Sequence, residues 1–318
     1  MIIALSLLAG ALAAGWLMPG RLRGLDLRRR DPVLLIVCWL LSMLGVALAA
    51  TAGVVLLLMP THGSFGLFLA AINNCWNFLQ HGAPPAAEEL GGMLGTAVLL
   101  VLACRLVVVG ARGVRRRART RQQNLAALRF AGRPDRVDPT TLWLAHDRPL
   151  AFSMGGRRGV IVATEGLRCH LDADAVAAVL VHERAHLAGR HHQLIAVADA
   201  VRAALPSVPL FRQAPDAIRE LVELAADVCA TRQCGRRAVR SALLGVSGCG
   251  APASALAMAR DAVDVRLARL DQPGLPVAGV RRVVRCGVAG AAAVVAPFVS
   301  GAAFTLAIAL VACPVGVL

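Results

Sequence analysis

The five residues His182, Glu183, Arg184, Ala185 and His186 carry the densest chemistry in this sequence. Residues four apart on an α-helix share a face, so both imidazoles can grip one Zn2+. Glu183, beside the first of them, can take a proton from a water that such an ion has acidified. A catalytic zinc needs a third protein ligand and a position left open for solvent. Downstream lie Glu220, Glu223 and Asp227. Glu223 is the candidate third ligand. Asp227, one turn further on, is placed to accept the free N–H of a ligand histidine and so fix its tautomer. Glu220 has no partner at a useful spacing and reads as part of a solvated face with Arg219 and Arg232. The expected site is therefore one zinc per chain on His182, His186 and Glu223, with Glu183 as general base and Asp227 behind the ligands.

These residues need rigid carriers. Asp172 reads as an N-cap, and a helix is expected from Ala173 to about Leu205, stopped by Pro206 and Pro209. Its first half is apolar on nearly every side, which predicts burial. A second helix is expected from near Pro215 to near Gly235, carrying Glu223 and Asp227. Strands are expected over residues 140–145, 149–153 and 158–163, the last after the turn signal Gly155-Gly156. His191 and His192, five and six residues beyond His186, are expected at the surface or lipid interface and not on the metal. His170 is expected in a loop ahead of the N-cap. Tyrosine is absent, so a side-chain donor to a developing oxyanion would have to be His191, His192 or an arginine.

Composition places this site in a membrane protein. Hydrophobic residues make up 57% of the 318, and the mean hydropathy is +0.65, too apolar for an ordinary soluble enzyme. Four segments are long enough to cross a bilayer: about residues 1–18, 33–58, 91–110 and 287–311. The formal charge is +15 and all the basic residues are arginine. They cluster after the first segment (Arg21 to Arg30), after the third (Arg112 to Arg121) and before the fourth (Arg281, Arg282, Arg285), whereas residues 59–90 hold none. Each cluster falls on one side, which predicts both termini outside and residues 112–285 in the cytoplasm. Topology thus explains the arginine excess, and direct nucleic-acid binding is not expected. A cleaved signal peptide would carry its positive charge before the apolar run, and here the charge follows it. The apolar stretch 65–79 is short and interrupted by Asn73, Asn74 and Asn77; it is expected to lie at the outer interface. Arg105 is expected to reach up to the headgroups. The nine cysteines show no paired framework, which excludes a disulfide scaffold.

The His182–His186 motif followed by Glu223-Leu-Ala-Ala-Asp227 is similar to the zinc peptidases that combine HExxH with ExxxD. Four spans with the catalytic segment between the third and fourth resemble the BlaR/MecR-type membrane metallopeptidases, as do residues 151–153, 161–162 and 165–167. The resemblance implies an α-helical membrane protein of four transmembrane helices with an inserted α+β, zincin-like cytoplasmic peptidase domain. Its parts would be residues 1–111 (three spans and the outer loop 59–90), 112–285 (the peptidase) and 286–318 (the last span and a short outer tail). It further implies regulated cleavage of a BlaI/MecI-type winged-helix repressor in a bacterial signalling or antibiotic-resistance pathway, at the plasma membrane, and possible self-cleavage. The best-known members continue into an extracellular penicillin-binding sensor domain. This sequence stops at Leu318, so that sensor is not expected. A homo-oligomer is compatible with the sequence. Two other readings compete: a housekeeping membrane protease of the HtpX or prenyl-protease kind, and a non-catalytic receptor or scaffold with a structural metal.

Overall fold

The computed structural model describes residues 2–24, 30–58, 85–156, 159–247, 263–271 and 280–312. Three helices in it are long and apolar enough to cross a membrane. They are α1 (Ile2–Arg23), α2 (Pro32–Leu58) and α9 (Val280–Ala312), with apolar windows at Ile3–Arg23, Pro32–Leu56 and Val283–Ala307. They pack on one another as a bundle. Small residues bring the backbones together: a side chain at Gly10 would strike the backbone of Pro297 and Gly301, and one at Gly45 the backbone of Val294. The Ser300 hydroxyl donates to the Gly10 carbonyl at 3.2 Å. Close approach of this kind is how helices associate where no water drives them together.

The third expected span, 91–110, lies within α3 (Pro85–Ala131), a continuous helix of 47 residues. Val98, Leu100, Val101, Leu106 and Val107 on it are exposed. The side chains of 85–96, 99 and 102 are outside the described set, as is the interfacial stretch 65–79. The helix does not stop at the expected boundary of 111. It runs on through the arginines because Arg, Ala, Leu and Gln are all good helix formers. Arg105, expected at the headgroups, donates from Nη2 to the carbonyl of Ala203 at 3.2 Å.

After α3 the chain forms a four-stranded sheet in the order β1-β2-β4-β3, with β1 Gly132–Pro134, β2 Thr141–Leu144, β3 Ala151–Met154 and β4 Val160–Thr164. β2 and β4 are parallel, and β3 runs antiparallel to β4 with Phe152 opposite Val162. β4 is buried along its whole length, which explains its continuous apolar run. Among the described residues β3 has one neighbour and forms an edge. A short helix, α4 (Glu165–His170), follows. His170 is in it rather than in a loop, and its Nδ1 donates to the Gly166 carbonyl at 2.8 Å.

The single helix expected from Ala173 to Leu205 is two helices, α5 (Ala173–Ala188) and α6 (His191–Ala204). Asp172 caps α5 as expected, accepting from the Ala175 amide at 2.7 Å. The break falls at Gly189-Arg190, where Arg190 takes a left-handed conformation at φ 50°. The next helix, α7 (Pro209–Ser247), starts before Pro215 and continues past Gly235, which forms a kink at φ 84° rather than an end. Pro209 takes the first helical position, where its missing N–H is no loss. Residues 263–270 form α8. The largest core cluster joins α1 and α2 to α6 and α7, through Ala14, Leu35, Trp39, Ala198, Leu210 and Ile218 among others.

Candidate metal centre

Helix α5 presents His182 and His186 on one face, and α7, packed along it, presents Glu223 and Asp227. The Nε2 atoms of the two histidines are 3.1 Å apart. Glu223 places Oε2 3.3 Å from Nε2 of His182 and Oε1 3.4 Å from Nε2 of His186. Ligands about 2.05 Å from a tetrahedral zinc stand about 3.3 Å from one another, so the three donors are spaced as such an ion requires. Among the described residues this trio is the only cluster able to hold a metal.

The outer nitrogens of both imidazoles are engaged. Nδ1 of His182 donates to Oδ1 of Asp227 at 2.9 Å, the position expected from the one-turn spacing. Nδ1 of His186 lies 2.9 Å from Nδ1 of His191. With both Nδ1 atoms occupied, both Nε2 atoms turn toward the same point. Two nitrogens and a carboxylate converging there call for a cation between them.

His191 overturns the surface expectation: it is buried and lies against His186. Had the helix continued, five residues at 100° each would have swung it about 140° away. The break at Arg190 brings it back. His192 is exposed, as expected, with Nε2 3.3 Å from the Ser153 hydroxyl. Glu220 is exposed and stands outside the cluster.

Two residues at the centre carry no sequence signal. Arg266, on α8, donates from Nε and Nη2 to the two oxygens of Asp227 at 2.6 and 2.7 Å, and its Nη1 is 3.6 Å from Glu223. No motif spacing links it to Asp227 across a sequence separation of 39. Ser153, on the edge strand β3, hydrogen-bonds Glu183 through its side chain and its backbone. It was legible as strand, but not as the partner of the acid.

The charges answer to these contacts. Burial raises the Glu183 carboxyl above the usual carboxylate range, against the pull of His182 and Ser153. Burial opposes the charged form of His182 as well, yet the hydrogen bonds to Asp227 and Glu223 outweigh it and lift its pKa to about 9. His186 lacks a carboxylate at Nδ1, and burial takes it down to about 3. Burial likewise lowers His191, to about 4. Burial would raise Asp227, but Arg266 and His182 hold it at about 2. Glu223 is held below its ordinary value, burial being outweighed by His182, His186 and Arg266. Glu223 and Asp227 are thus both favoured in their ionised forms, the first beside the two Nε2 atoms and the second behind His182.

Such a centre, two histidines and a glutamate on paired helices with a second glutamate alongside, could hold a metal ion and activate a water bound to it. Residues 114–240 match the model of Peptidase family M48, which indicates a metallopeptidase hydrolase. Peptidases of that family depend on zinc in general. The match covers α5, α6 and the part of α7 that bears Glu223 and Asp227, and it ends before Arg266. No curated protein and no solved structure matches the chain.

Proposed function

We propose that this chain is a membrane-embedded zinc metalloendopeptidase that hydrolyses peptide bonds on the cytoplasmic side, and that its task is regulated cleavage of a winged-helix repressor. The observation that carries the reading is the mutual spacing of 3.1 to 3.4 Å among the donor atoms of His182, His186 and Glu223. A structural zinc closes its shell with four protein ligands, whereas a catalytic one keeps a place for solvent. Three donors from the described residues favour the catalytic reading over the scaffold.

When bound, zinc supplies a Lewis acid and makes a water acidic enough to lose a proton near neutral pH. Glu183 takes that proton on its carboxylate and later hands it to the leaving amine. A carboxyl raised by burial is a stronger base than an ordinary carboxylate, which suits it to take up a proton and hold it until the amine leaves. Ser153 places Glu183 beside the edge strand β3. That edge offers backbone groups to an extended peptide, which strand addition would lay beside Glu183.

The regulatory task, four spans, outward termini and the repressor rest on the arginine distribution and on the BlaR/MecR-type resemblance. The three apolar helices support membrane insertion. The experiment is cleavage of a co-expressed winged-helix repressor, with and without chelator, by the full chain. Glu183→Gln is expected to abolish cleavage and keep zinc, and Glu223→Ala to lose both. Full cleavage by Glu183→Gln would refute the mechanism. Broad cleavage of unrelated membrane proteins would favour the housekeeping protease.

A further inference from the structure

We infer that His191 is a positioning residue, a neutral imidazole that accepts the Nδ1 proton of His186 and so points the Nε2 lone pair of His186 at the metal position. The inference rests on the metal-site reading above and adds to it the device that orients the second ligand.

The two ligand histidines are held by different chemistry. His182 has a carboxylate at Nδ1, Asp227 at 2.9 Å, backed by Arg266. His186 has no carboxylate there. Its Nδ1 faces Nδ1 of His191 at 2.9 Å, with both rings buried. Between two imidazole nitrogens at that distance one must donate and the other accept. A metal on Nε2 of His186 requires the proton on its Nδ1, so His191 must accept on Nδ1 and carry its own proton on Nε2. A metal-bound histidine whose outer N–H has a fixed acceptor is held in tautomer and ring orientation, and loss of such partners costs about 10- to 100-fold in metal affinity.

The backbone is shaped for this contact. Arg190 is the one described non-glycine residue at positive φ, a conformation that costs about 1–2 kcal/mol for an L-residue. It ends α5 and folds His191 back under His186. Gly189 makes the room: a Cβ there would collide with Nε2 and Cδ2 of His191. The φ of Gly189, −76°, is one that any residue adopts. Space for the ring, rather than backbone freedom, is therefore what requires glycine.

The test is Zn2+ affinity of the full chain in detergent, by competition with a chromophoric chelator, together with the melting temperature of the metal-free protein. His191→Leu removes the acceptor and is expected to weaken zinc by about 10- to 100-fold. His191→Asn places an amide oxygen where Nδ1 stood and is expected to restore most of that loss. Gly189→Ala keeps the imidazole but displaces it, and is expected to weaken zinc like His191→Leu. Wild-type affinity in His191→Leu would overturn the inference, as would equal losses in the leucine and asparagine variants matched by equal falls in melting temperature. Failure of the wild-type chain to bind Zn2+ would instead overturn the metal-site reading itself.

Discussion

Asp227 is where the electrostatics of the centre balance. Its carboxylate is buried, accepts from Nδ1 of His182 and is clasped on both oxygens by Arg266. A buried pair of this kind adds little over an apolar replacement of the whole pair, but removing one partner costs up to about 3–5 kcal/mol, here moderated because His182 still donates to Asp227. Arg266→Leu is therefore expected to lower the melting temperature of the metal-free protein sharply. Adding Asp227→Asn should recover part of the loss, because the amide oxygen still accepts from His182 and no unpaired charge remains. A double variant no more stable than Arg266→Leu would sink this account. At this scale the sequence showed whatever one helical turn fixes: His182 with His186, and Glu223 with Asp227. It did not show Arg266 or Ser153, which reach the centre only through tertiary packing, nor the true place of His191, which depends on one left-handed residue.

The elements were legible where the apolar period was strong and ambiguous where a breaker stood inside a good helical sequence. Asp172 announced the start of α5, and β4 was visible as an unbroken apolar run. Gly189-Arg190 divides a stretch whose composition suits helix on both sides. Nothing in the residue types required Arg190 to go left-handed, so one helix was expected where there are two. Gly235 is the reverse case: its residue type suits a helix end, but it lies inside α7. It sits at φ 84° and ψ 162°, a region open essentially to glycine, and helical hydrogen bonding resumes beyond it. A Cβ at Gly235 would meet nothing within 4 Å, so any cost of Gly235→Ala comes from the backbone alone. That cost is expected to be about 1–3 kcal/mol, read as a lower melting temperature with zinc stoichiometry unchanged. A neutral substitution would mean that the kink straightens freely.

At the scale of the whole molecule, the helix that carries Glu223 is also part of the membrane bundle's core. Leu210, Phe211, Ile218, Leu221 and Val222 of α7 are each no more than 3% exposed, and their cluster includes Leu35, Trp39 and Met43 of α2. Leu221 and Val222 immediately precede Glu223, so the turn that bears Glu223 is seated on the core that α2 helps to form. The sequence had no mark for this, because an apolar helix face looks the same whether it meets its own domain or a membrane helix. Burying a side chain of this size contributes about 1.5–3 kcal/mol. Exposing even part of five of them rivals the roughly 5–15 kcal/mol that holds a typical domain together. Residues 112–271 expressed without α1, α2 and α9 are therefore expected to aggregate or to be recovered only in detergent, with zinc affinity reduced. Co-expression of residues 1–58 should restore zinc binding to the fragment, since those residues supply the missing face. A fragment that is monomeric in plain buffer and binds zinc as tightly as the full chain would show that the shared core is dispensable for the site.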